Sequence, residues 1–204
     1  MTSTPGPPAR QGRRVRKEAT QVRILAAARL HFERDGFDAA SIRTIAAEAG
    51  VATGTVLLHF TDKTALLHAA LYEDLEKAIG RCLAGKTRGP LLKRLSAVAR
   101  TFYAYYAARP KLSRTLLRES LFAEEPWRER FTRQVVRVTT HVAMLVEQAK
   151  ADGELAASTD ARLLSVAFAS FYYFALIGWV QGGIDDPLAL FETLMAQHLG
   201  TARP

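Results

Sequence analysis

The sequence predicts an all-α protein of about nine helices, and three observations carry that prediction. No stretch sustains period-two alternation, Ala and Leu are abundant, and apolar residues recur at helical spacing between Gly and Pro stops. The 204 residues are 49% hydrophobic and 24% charged, with one cysteine, Cys82. That apolar fraction excludes a disordered chain, and a single thiol excludes a disulfide scaffold and fits a reducing compartment. The length suits one large domain or two small ones, enough to bury a core.

Residues 1–16, with Pro5, Pro7, Pro8 and four arginines, have nothing to bury and read as a flexible basic arm. The first helix runs from about Lys17 to Arg34, burying Ile24, Leu25, Ala28 and Phe32, and stops at Asp35-Gly36. Ser41 is an N-cap for a second helix, which carries Ile42, Ile45, Ala46 and Ala49 at i, i+3, i+4 and i+7 and ends at Gly50. Only Val51-Ala52 separate it from a short third helix, Thr53 to His59; two short helices joined at a tight Gly turn make a helix-turn-helix.

Thr61-Asp62 caps a fourth helix reaching about Leu83. Pro90 opens a fifth, which must end near Arg109 because Pro110 follows. A sixth covers Lys111–Phe122. Pro126 opens a seventh, with Trp127, Phe131, Val135, Val138, Val142, Leu145 and Ala149 along one stripe. Asp160 caps an eighth, and Pro187 opens a ninth through Leu199. Residues 17–70 therefore form a helix-turn-helix domain and residues 71–204 a second helical domain.

The formal net charge is +8, which invites a nucleic-acid partner, but its placement matters more than its size. Residues 1–23 carry +5, residues 24–80 carry −3, residues 81–118 carry +10 and residues 119–204 carry −4. The helix-turn-helix is itself acidic. Ten basic residues without an acid in 81–118 suit either an anionic ligand, with Arg118 as first candidate, or an ordinary solvated face.

Leu163–Val180 is uncharged and reaches the lower length limit of a membrane span. Ser165, Ser170, the Tyr172-Tyr173 pair and Gly178 speak against a span and for a buried or interface helix. Arg23 and Arg29 interrupt the apolar run near the N-terminus, so no secretory segment is read there and a cytoplasmic protein is expected.

The stretch ILAAARLHFERDGFDAASIRTIAAEAGVATGTVLLHFTDKTALLHAAL, Ile24–Leu71, resembles the DNA-binding domain of the TetR family of bacterial transcriptional regulators. The resemblance lies in the Gly36-Phe37 corner, the Ile-Ala-x-x-Ala-Gly-Val core, the Gly-Thr-x-x-x-His-Phe recognition segment and the Lys63, Leu66, Leu67 helix start. It implies a homodimeric repressor with no enzymatic activity, cofactor or metal, which binds a palindromic operator in double-stranded DNA and leaves it when a small molecule binds. It also implies DNA contacts from Arg43, Thr44, Thr53, Gly54, Thr55, Leu57, Leu58, His59 and Lys63. The chemistry agrees: Arg43 can address a guanine edge, Lys63 a phosphate, and Thr53-Gly54-Thr55 open a helix with free N–H groups. Arg43 as a solvated helix residue and His59 as a structural helix end stay open. This chain departs from the family at Leu57, where Tyr is usual, at Leu58, often aromatic, and at Ala52, where Ser often caps; Thr53 is then the expected cap.

A rival motif spans Gly80–Thr87, which fits G-x-x-x-x-G-K-[ST] letter for letter. A phosphate loop needs a strand before it and a helix opening at its Lys-Thr, whereas here a helix precedes and Pro90 starts the next helix too late. The sequence also lacks G-x-S-x-G, H-E-x-x-H and any Cys cluster.

The second domain is rich in aromatics at helical spacing, a pattern of core packing that the resemblance turns toward a ligand pocket. Its candidates are Phe102, Tyr105, Tyr106, Leu117, Trp127, Phe131 and Tyr172. The same resemblance implies that the last two helices pair across a two-fold axis, with Phe168, Phe171, Ala175, Trp179, Leu190 and Leu194 as interface candidates.

Overall fold

A computed structural model describes residues 8–85 and 87–200, and residues 1–7 of the predicted basic arm, together with Lys86, lie outside the described residues. Nine helices and no strand occur among the described residues: α1 Pro8–Asp35, α2 Ile42–Glu48, α3 Thr53–His59, α4 Lys63–Ala84, α5 Leu91–Ala107, α6 Pro110–Leu121, α7 Trp127–Ala151, α8 Ala161–Val180 and α9 Pro187–Gly200. The chain divides into two compact units at Leu71/Tyr72.

The first unit is held by a small apolar core. Ile24, Leu25, Ala28 and Phe32 from α1 meet Ile45 and Ala46 of α2, Val56 of α3, and Leu66, Leu67 and Ala70 of α4, all essentially without exposure. Burying a side chain of this size contributes roughly 1.5–3 kcal/mol, so these short helices draw their stability from packing rather than from length. The Arg29 guanidinium donates to the Ala70 carbonyl at 3.2 Å, tying α1 to α4. Two turns need left-handed backbone, and glycine occupies both: Gly36 at φ 81° and Gly50 at φ 64°.

One boundary differs clearly from expectation. Helix α1 starts at Pro8, so residues 8–16, read as unstructured arm, are helical. Residues 11–19 are exposed all round. An i, i+4 pair between Arg14 and Glu18 at 3.2 Å supports this turn. Hydrophobic pattern failed here because an extension that buries nothing leaves no apolar stripe to read.

In the second unit α8 packs against α7 and α9, and α5 against α7 and α9. Leu91, Leu95 and Ala99 of α5, Val142 and Val146 of α7, Ala175 and Leu176 of α8, and Phe191 and Met195 of α9 form its core. Asp160 caps α8 as expected, its Oδ1 accepting from the amides of Arg162 at 2.8 Å and Leu163 at 3.0 Å. By length and apolarity α8 alone among the described helices could cross a membrane. Its buried side, though, is the surface that meets α7 and α9.

The α7 stripe is corrected at one position. Gln134 faces inward next to Phe131 and is 1% exposed, whereas Val135 is 38% exposed and only borders the cavity described below.

Candidate functional site

Helices α2 and α3 place the predicted DNA-contact residues along one local stretch. The Ser41 hydroxyl caps α2 by accepting from the Thr44 amide at 3.1 Å, while the Thr44 hydroxyl donates to the Ser41 carbonyl at 2.9 Å. Thr44 thereby belongs to the cap. Arg43, beside it, is exposed and has no hydrogen bond or ion pair among the described residues. Thr53 and Gly54 are exposed and Thr55 is half-buried. The expected Thr53 cap is corrected: the N-cap is Ala52, which has no side chain able to cap, and Thr53 is the first helical residue.

On α3, Val56 is buried while Leu57 and Leu58 face outward, Leu58 at 84% exposure. Two neighbouring exposed leucines on a helix otherwise free of charge are unusual for a surface with only solvent to meet. His59 is half-buried beside Phe60, with ring centroids 6.1 Å apart. Burial and, secondarily, the charge of Lys17 push its pKa down, so the imidazole is neutral near pH 7.

Lys63 does something other than reach for phosphate. Its Nζ donates to the carbonyls of Phe37 at 2.8 Å, Ala40 at 3.1 Å and Asp38 at 3.2 Å, and lies 4.5 Å from the centroid of the Phe37 ring. An ammonium has three protons, and all three are used inside the fold. Lys63 is thus a clamp on the loop between α1 and α2.

The second unit holds a cavity among α4, α5, α7 and α8. Its volume is about 60 Å³. Leu75, Ile79, Phe102, Tyr106, Gln134, Val138, Thr139, Phe168, Tyr172 and Tyr173 are among its walls. Three of the predicted pocket residues, Phe102, Tyr106 and Tyr172, therefore meet here. The other four do not line it. Trp127 and Phe131 cluster with Tyr72, their ring centroids 6.1 and 6.2 Å from it; Tyr105 sits edge-on to Tyr106 at 5.2 Å; Leu117 is buried in α6. Tyr72 lies in α4, sixty residues away in sequence, which is why helical spacing within α7 gave no sign of that cluster.

Gln134 and Phe168 are two of the nine cavity residues that the pattern did not assign to it. The Gln134 Nε2 donates to the Tyr72 carbonyl at 3.1 Å and to the Glu76 carboxylate at 3.0 Å. Its Oε1 is buried and has no partner among the described residues. Burial pushes the Tyr106 and Tyr172 phenols well above their ordinary pKa, so both stay neutral donors.

The predicted interface residues divide. Phe168 and Ala175 are buried, at 2% and 0% exposure, and Phe168 packs on Phe191 with centroids 5.1 Å apart; both are core residues rather than interface residues. Phe171, Trp179, Leu190 and Leu194 are half-buried. The apolar residues that α8 turns outward are Leu163, Val166 and Phe174, at 63%, 53% and 64% exposure. Spacings of three and eight put them on one stripe.

Four of the ten basic residues in 81–118, Arg118 included, are engaged by carboxylates. Arg94 pairs with Glu154 at 3.1 Å, Arg100 with Glu192 at 3.7 Å, Arg109 with Asp74, and Arg118 with Glu119 at 2.9 Å. The Gly80–Thr87 motif has no phosphate-loop geometry: Gly80 lies inside α4, and α5 opens only at Leu91.

A family model described as bacterial regulatory proteins, tetR family, matches residues 24–70. Over these residues the chain is similar to the tetR family of bacterial regulatory proteins. The regulator UidR of Escherichia coli strain K12 is 39% identical over 64 residues, 31% of this chain and 33% of UidR; UidR of Shigella flexneri gives the same figures. The chain spans about a third of the length of the curated relatives it matches. Solved structures extend the likeness of fold. The fatty acid degradation regulator FadR of Bacillus halodurans aligns with TM-score 0.68 at 21% identity, covering 89% of this chain and 98% of that one. FadR of Bacillus subtilis, solved in complex with stearoyl-CoA, aligns with TM-score 0.69 at 21% identity, covering 87% and 96%. A Rhodococcus sp. RHA1 protein of unknown function aligns with TM-score 0.72 at 19% identity, covering 91% and 96%.

Proposed function

We propose that this protein is a cytoplasmic, homodimeric transcriptional regulator that represses by binding a palindromic operator and is released by a small molecule. One observation carries the reading. Within a TetR-family domain, Arg43, Thr53, Gly54, Leu57 and Leu58 are exposed, and Arg43 has no structural task. In the proposed interface Arg43 addresses a guanine edge, Thr53, Gly54 and Thr55 meet backbone phosphates, Leu57 and Leu58 pack on thymine methyls, and His59 borders the contact. Thr44, whose amide and hydroxyl protons both serve the α2 cap, stays out of it. Lys63 is left out of it, since its protons are committed to the loop.

The cavity is the proposed effector site, and the outward stripe of α8, with Leu190 and Leu194 of α9, the proposed two-fold interface. A symmetric dimer would then address half-sites roughly 34 Å apart or a nearby multiple. Release requires an effector that prefers the non-DNA conformation, and operator DNA must weaken effector binding by the same factor. Ligand binding in FadR of Bacillus subtilis supports the fold's capacity to hold an effector and says nothing of which one is bound here. A gel shift with DNA flanking the protein's own gene at physiological salt tests the reading: a sequence-specific complex is expected, and binding no better than to unrelated DNA would overturn it.

A further inference from the structure

The amide of Gln134 has a fixed orientation. Both groups facing its Nε2, the Tyr72 carbonyl and the Glu76 carboxylate, are acceptors, so the NH2 must point to them and the oxygen away. That oxygen is the unpartnered atom, on a side chain that lines the cavity and is 1% exposed. A buried acceptor without a donor is unfavourable, and a ligand that supplies the donor recovers that loss on binding.

The rest of the wall restricts the ligand further. Among the described residues, no Lys, Arg, His, Asp or Glu lines the cavity. The charged group that touches Gln134, Glu76, is negative, and it already takes up the Arg137 cation at 2.6 Å. An anionic headgroup would lose its hydration here without meeting a counter-charge. Tyr106 and Tyr172 contribute neutral hydroxyls and aromatic faces. We propose that the cavity takes an uncharged, largely apolar ligand carrying a hydroxyl or N–H group, and that this group donates to Gln134 Oε1. The assignment rests on the effector reading above and gives that effector a chemical class.

Calorimetric titration of the full chain with three compounds of one skeleton tests it. The probes are 4-propylphenol, which donates; 4-propylanisole, which keeps the oxygen and loses the donor; and 4-propylbenzoate, which is anionic. The phenol should bind roughly tenfold or more tightly than the anisole, and the benzoate should not bind measurably. Gln134→Met, which keeps the volume and removes the acceptor, should bring phenol and anisole level. Equal binding of phenol and anisole to the wild-type chain, strongest binding by the benzoate, or no binding by any probe would overturn the proposal. The wild-type comparison decides if the variant fails to fold. Phenol binding that leaves a protein–DNA complex intact would sink the effector reading while leaving the ligand class standing.

Discussion

The Nζ of Lys63, at the start of α4, lies 2.8 Å from the carbonyl oxygen of Phe37 in the loop between α1 and α2. With the Asp38 and Ala40 carbonyls it closes a three-point clamp that sets the entry into the helix-turn-helix. A residue whose sequence position suggests a phosphate contact thus holds together the element that presents the contacts.

Replacing Lys63 by Met should lower stability by about 1–3 kcal/mol, because three charge-assisted bonds are lost and carbonyls are left short of a donor. Thermal unfolding measures this. The slope of log K against log salt should stay nearly unchanged for the folded variant, whereas a phosphate-gripping Lys63 would take roughly 0.9 off it.

Arg43→Ala should do the reverse. Nothing in the fold uses this side chain, so stability should move by less than about 0.5 kcal/mol. Affinity for the operator should fall by about 1–3 kcal/mol, with relaxed preference at one base pair, as fluorescence anisotropy with substituted duplexes would register.

Phe174→Asp places a charge on the outward stripe of α8. It should leave circular dichroism unchanged and convert the proposed dimer to monomer in light scattering. Ala175→Asp, one residue on, should instead unfold the second unit, since Ala175 has no exposure.

His59 introduces a pH dependence. Its folded pKa is lowered by burial and by Lys17, so protons bind the unfolded chain more readily. That contribution to stability is full above the ordinary histidine range and is lost as pH falls from about 6.5 toward the folded value. Denaturant titrations between pH 7.5 and about 5 should show the loss, and His59→Asn should reduce it.

The legibility of these features in the sequence follows their physics. The helix-turn-helix was readable because its determinants are local: a Ser cap, glycines where φ is positive, and apolar residues at i, i+3, i+4 and i+7. Helix α1 beyond Lys17 was not, since residues that pack on nothing leave no periodicity. Gln134 is polar and so stands outside an apolar stripe, although a position three past Phe131 and four before Val138 faces the same side. Phe168 and Ala175 looked like interface residues because a helix apolar all round does not reveal which side a neighbour covers. Only tertiary packing showed that Leu163, Val166 and Phe174 are the side left open.

If α2 and α3 read DNA sequence, selection from a pool of randomised duplexes should reveal it. One palindromic sequence should be enriched by the wild-type chain at physiological salt, and the enrichment lost or relaxed at a symmetric pair of positions with Arg43→Ala. Retention of the pool without any enriched sequence would contradict that reading.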